Sequence, residues 1–279
     1  MNLWYNLLDA LPFEIFHWTF MQNALLAILL MAPLFGLTST MIVTGRMSFF
    51  SDALGHSAFT GIAIGAIFGI LSPTVVSAIF SLLFALLFSY IRSRSNHTAD
   101  TLIGVFSSTA VALGIFVATY NGSSFTKYNK YLIGDILSVT PGEIGLLALV
   151  LTAVVLFWII ASNRLTLSSV YPQLASSRGI PVELTQTIFT AAIAVVVTLS
   201  ISWVGLLILN SLLVLPGATS RNIAKNLKQY HLVSVLIALA SGIVGLCISY
   251  YLGTSSGAAI CLVLAIVFAV SFLLRKVRC

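Results

Sequence analysis

Charge is what this chain has least of. Only 7% of its residues are Asp, Glu, Lys or Arg and 59% are hydrophobic, whereas a soluble domain carries about 25% charge and roughly 45–50% apolar residues. Seven acids and thirteen bases among 279 residues cannot solvate a globule of this size. High hydrophobicity excludes disorder. Cysteine is scarce as well: Cys247 and Cys261 fall inside apolar runs and Cys279 is the last residue, so no extracellular disulfide framework can be read. No glycine-rich phosphate loop ending in Lys-Ser or Lys-Thr occurs, so nucleotide hydrolysis would have to belong to another polypeptide. The net charge of +6 is spread between apolar runs rather than gathered in a basic stripe, which argues against nucleic acid as a partner. What remains is an all-α, polytopic membrane protein.

A spanning helix needs about 20 mostly apolar residues to cross a hydrocarbon core about 30 Å thick. Nine segments qualify, at 18–44, 49–71, 74–91, 101–119, 144–161, 184–202, 204–220, 231–251 and 256–274. Eight is the alternative, because the apolar run from Leu184 to Leu215 has only Ser200 to Gly205 as a break and would also suit a tilted helix followed by a re-entrant one. Residues 1–17 combine Trp4, Tyr5, Phe13 and Phe16 with Asp9 and Glu14 and lack a signal peptide's basic leader and cleavage site. They read as an interfacial segment ahead of a single transmembrane domain at 18–279.

Cytoplasmic loops retain Lys and Arg near helix ends. With nine crossings and Arg46 inside, Arg92, Arg94, Arg164, Arg178, Arg221, Lys225, Lys228, Arg275, Lys276 and Arg278 fall on the same side, and only Lys127 and Lys130 fall outside. This orientation puts the N-terminus outside and the C-terminus in the cytoplasm. Thr140-Pro141-Gly142-Glu143 has the layout of a capping box, so the fifth span should begin there. Gly61, Gly65 and Gly69 recur every four residues, a spacing that lets helix backbones approach closely and places the second span centrally in the bundle.

An ionisable residue within a span costs about 2.5–3.5 kcal/mol near the helix centre on insertion scales, so each is a functional candidate. Asp52 and His56 lie four apart at the start of the second span, on one helix face. A carboxylate oxygen and an imidazole nitrogen aimed the same way form half of a zinc site; the plainer alternative is that Asp52 caps the helix and His56 bonds to it. A structural zinc site needs four ligands, whereas a site an ion must leave can work with few. His17, His97 and His231 read as surface or boundary residues, and Asp100 and Glu183 as acids at helix N-termini. Asp135, in a part-apolar outer loop, is a candidate for the ion path or a partner contact. On the cytoplasmic side, Tyr171 to Gly179 reads as a one- or two-turn helix, opened by Pro172 and closed by Gly179, of a kind that docks into another protein.

Four blocks in order give these segments a family likeness: GRMSFFSDALGHS at 45–57, DTLIG at 100–104, YLIGDILSVTP at 131–141 and SLLVLPGATSR at 211–221. Together they resemble the membrane subunit of ABC importers in the zinc/manganese/iron permease family, over nearly the whole chain. The resemblance implies a homodimer of permeases in a bacterial inner membrane, cytoplasmic ATP-binding subunits and an extracytoplasmic metal-binding protein. It implies that Asp52 and His56 contact a transported divalent ion, with zinc favoured over manganese or iron(II), and that no cofactor is held permanently. Tyr171, Pro172, Gln173, Ala175, Arg178 and Gly179 match the ATPase-coupling helix. Two departures stand out: Tyr171 replaces an acid common before that proline, and Gly55 replaces a common Ser or Ala. An ion-gradient-driven secondary transporter is the rival reading. An intramembrane hydrolase using Asp52 and His56 ranks last, because no nucleophile has a recognisable setting.

Overall fold

The computed structural model describes residues 4–5, 17–69, 71–120, 134 and 136–278. Asp135, Lys127, Lys130, Asp9 and Glu14 lie outside the described residues, as does most of the interfacial segment expected at 1–17. Every long element is a helix: α1 (Thr19–Thr44), α2 (Ser48–Phe68), α3 (Pro73–Arg94), α4 (Ala99–Thr119), α5 (Pro141–Val170), the short α6 (Pro172–Ser177), α7 (Val182–Val204), α8 (Leu206–Ile223), α9 (Leu227–Leu252) and α10 (Ser256–Arg278). Among the described residues nine helices are long, and each overlaps one of the nine segments expected from the sequence. Among the described residues, seven of them are long and apolar enough to cross a membrane.

Local chemistry explains where the helices begin and end. The expected capping box forms: the Thr140 N–H donates to Glu143 Oε2 at 2.8 Å and the Glu143 N–H returns a 3.4 Å bond to Thr140 Oγ1. At α4 the cap is Thr98, whose hydroxyl accepts from the Thr101 N–H, and Asp100 sits in the first turn behind it. Helix α5 overruns its expected end at 161 and continues to Val170. Asn163 and Arg164 do not stop a helix, whereas Pro172 disfavours helical backbone at Tyr171. The break in the long apolar run is one residue wide. Gly205, at φ 82° and ψ 155°, adopts backbone that other residues avoid, and α8 restarts at Leu206.

The chain folds as two compact units, one made of Met1–Thr40, Asp135–Trp158 and Leu215–Cys279, the other of Met41–Gly134 and Ile159–Val214. In the second, α2 packs against α3, α4 and α7 around Ala58, Phe59, Ile62, Ala63, Ala118, Ile201 and Leu206. Phe50 stacks on Phe88 at 4.4 Å, and Phe88 meets Phe106 edge-on at 5.3 Å. Small residues set these distances: a Cβ at Gly61 would lie 2.5 Å from the Ser77 Cα, and one at Gly65 would lie 2.8 Å from the Pro73 Cα. Gly69 departs from the expected stripe of three, because α2 ends at Phe68 and Gly69 is its left-handed cap, with open space around it. Across these interfaces Ser77 Oγ donates to the Ala58 carbonyl at 2.7 Å, and Thr60 Oγ1 donates to the Ala110 carbonyl at 2.8 Å.

The first unit is built the same way. Gly36 lies where a Cβ would be 2.7 Å from the Val235 Cα, and the Ser234 hydroxyl donates to the Gly36 carbonyl. Within α8, Pro216 removes a helix N–H; the next residue, Gly217, donates its own N–H to Ser39 Oγ at 2.8 Å. A Cβ there would lie 2.7 Å from the Ser39 carbonyl oxygen. His231, expected at the surface or a boundary, is half-buried: Nδ1 lies 2.9 Å from Thr40 Oγ1 and the ring meets Trp158 edge-on at 4.5 Å.

Gly61→Ala should wedge α2 from α3 and cost about 1–3 kcal/mol, the usual range for overpacking. Gly104→Ala, in open space, should be neutral or slightly stabilising. Thermal unfolding of the two variants in detergent checks both.

Candidate ion-binding site

Helix α2 begins after a sharp turn in which Arg46 takes φ 53° and Met47 precedes the first helical residue without a side-chain cap. The first turn bonds to itself, with Ser51 Oγ donating to the Ser48 carbonyl at 2.8 Å. Asp52 is the fifth residue of the helix, beyond the positions where a carboxylate caps backbone N–H groups. Helix capping therefore does not account for it.

From Ser51 to Ala63 every residue is buried except Asp52 and His56. Their side chains are 43% and 27% exposed, and His56 Nε2 lies 3.6 Å from Asp52 Oδ2. That separation is beyond hydrogen-bond range, so the two donors face one another across a gap. Behind His56, Gly55 opens the interface to α8: a Cβ there would lie 3.1 Å from Leu206 Cδ1.

A third group completes the cluster. Asn210 Nδ2 donates to Asp52 Oδ1 at 2.5 Å, so the two carboxylate oxygens have separate roles, one held by α8 and one turned toward His56. Asn210 carries no charge, so the cost of ionisable groups within spans does not point to it. The signal was a lone carboxamide in the apolar run Leu206 to Leu215. Among the described residues no group of three or more His, Cys, Asp or Glu comes together to hold a metal. Two strong donors and a polar amide suit brief contact with a cation.

The residues of the expected docking helix lie together at α6. Tyr171 precedes it, Pro172 opens it, and Gly179, at φ 72°, follows it. Ala175 faces inward at 0% exposure while Tyr171 is 62% exposed; Pro172, Gln173, Arg178 and Gly179 are also exposed. Ala175 is thus the anchor of α6 and not part of its outer surface. Leu174, which the sequence reading did not single out, is exposed beside Tyr171.

Residues 17–275 match the ABC 3 transport family. The chain belongs to that family. It is 28% identical over 252 residues to the high-affinity zinc uptake system membrane protein ZnuB of Haemophilus influenzae, covering 89% of this chain and 93% of the relative. It is 30% identical over 257 residues to the manganese import system permease protein ScaB of Streptococcus gordonii, covering 91% and 90%. Among solved structures, PsaBC from Streptococcus pneumoniae in complex with Fab superposes with a TM-score of 0.81 at 28% identity, covering 98% of this chain and 95% of that one. As an ABC 3 protein with seven strongly apolar helices, the chain is a multi-pass membrane protein, and the likeness extends over both of its units.

Proposed function

We propose that the chain is the permease subunit of an importer for a divalent transition metal, with zinc the leading substrate and manganese or iron(II) as alternatives. The observation that carries this reading is the pairing of Asp52 and His56 as the two open positions on an otherwise buried stretch of helix. Relatives named for zinc uptake and manganese import support it. A carboxylate and a neutral imidazole suit each of these ions, and the donors alone do not rank them. Family membership replaces the secondary-transporter reading.

In this reading an extracytoplasmic protein delivers the ion, and Asp52 and His56 hold it in passage with water completing its shell. The ion leaves because so few protein donors hold it. Two copies of the permease work with cytoplasmic ATP-binding subunits, which supply the hydrolysis for which this chain has no phosphate loop. Tyr171, Pro172, Gln173, Leu174, Arg178 and Gly179 present the docking surface, and α7, against which α6 packs, carries the motion inward. All nine long helices are spans, with the N-terminus outside and the C-terminus in the cytoplasm; 1–17 lies on the bilayer surface and 18–279 forms one permease domain. Asp135 is a candidate for the ion path or for a partner contact.

Asp52→Ala and His56→Ala should each lower metal uptake by about tenfold or more, the scale on which groups at metal sites act. Elemental analysis of cells carrying each variant with intact partner subunits measures this, and uptake unchanged in both would overturn the site. Leu174→Asp should reduce copurification of the ATP-binding subunit and uptake together by about tenfold or more, as for a central apolar anchor of an interface. Retained copurification would place the docking surface elsewhere. Orientation is read with Cys279 as the only cysteine, after Cys247→Ser and Cys261→Ser: a membrane-impermeant maleimide should label inside-out vesicles and spare right-side-out ones.

A further inference from the structure

We propose that Asn210 is the third donor of the ion path: its amide N–H holds Asp52, and its carboxamide oxygen ligates the passing cation. The inference rests on the reading of Asp52 and His56 as the transport site and deepens it.

Two observations carry it. The first is the 2.5 Å bond from Asn210 Nδ2 to Asp52 Oδ1, which fixes the orientation of the amide. Turned over, it would set its oxygen against a carboxylate, a contact between two acceptors. The second is that Asn210 Oδ1 is buried and has no hydrogen-bond partner among the described residues. A buried acceptor without a donor is costly. A cation held between Asp52 and His56 is the partner that relieves the cost.

The chemistry is consistent. A carboxamide oxygen is a neutral, hard donor of the kind divalent ions accept beside carboxylate and imidazole. It adds a ligand without adding charge, so the site gains affinity while remaining able to release its ion. The arrangement also assigns each oxygen of Asp52: Oδ1 takes the amide proton, and Oδ2, facing His56 at 3.6 Å, is left for the metal. Because α2 supplies Asp52 and His56 and α8 supplies Asn210, any movement between the two helices changes the number of donors the ion meets.

The test is uptake of radioactive zinc and manganese by proteoliposomes holding the full permease with its ATP-binding subunits, with KM and Vmax measured separately. Asn210→Leu, close in size but without polar atoms, should raise KM about tenfold while keeping Vmax within about twofold and the size-exclusion profile unchanged. Asn210→Asp restores an oxygen donor but adds a negative charge, and should lower KM and Vmax together because the ion is held too firmly. Should Asn210→Leu fail to fold, Asn210→Ser is read by the same criterion of raised KM with retained Vmax. An unchanged KM in these variants, or a loss confined to Vmax, overturns the role of Asn210 if Asp52→Ala abolishes uptake in the same vesicles. Normal uptake by Asp52→Ala and His56→Ala overturns the transport site, and the proposal for Asn210 with it.

Discussion

The close approach of α2 to α3, made possible by Gly61 and Gly65, is the constraint on which the site depends. With 2.5 Å and 2.8 Å of notional clearance at the two Cβ positions, backbone lies against backbone. Lipid offers no hydrophobic drive between helices, so association rests on such packing and on hydrogen bonds that cross the contact. Ser77 and Thr60 supply those bonds to the Ala58 and Ala110 carbonyls. Once α2 is closed in by α3, α4 and α7, the residues from Ser51 to Ala63 have few directions left that are not filled, and Asp52 and His56 occupy them. Exposure of these two side chains is therefore a property of the surrounding packing as much as of their own polarity.

Helices α2 and α8 carry the cluster, and polar residues interrupt both. Ser51, Asp52, His56, Ser57 and Thr60 dilute α2, while Asn210, Pro216 and Arg221 dilute α8. A polar group in such a helix is tolerated when a neighbouring helix answers it, and Asp52 and Asn210 answer one another. The polar content of the two helices thus joins the pair.

Much of this was legible in the sequence. Nine apolar segments, the capping box at Thr140 and the four-residue step from Asp52 to His56 depend on short-range patterns, and they appear where periodicity and spacing put them. Three features depended on something longer. The overrun of α5 to Val170 reflects the weakness of Asn163 and Arg164 as breakers compared with the restriction that Pro172 imposes on Tyr171. Ala175 could not be separated from its exposed neighbours until α6 was seen against α7. Asn210 lies 158 positions from Asp52 along the chain, and no local pattern couples them.

Gly205 shows how little chain is needed to bring them together. At about 100° per residue, the direction of every side chain in α8 is fixed by how many residues separate it from the point where helical backbone resumes. Asn210 follows Gly205 by five positions, and the bond from the Leu209 N–H to the Gly205 carbonyl ties the new helix to the joint itself. One residue more or fewer in that interval would turn the amide away from Asp52 while leaving composition and hydropathy almost untouched. At this joint the chain keeps count by length, and a single positive-φ glycine is the origin from which the count begins.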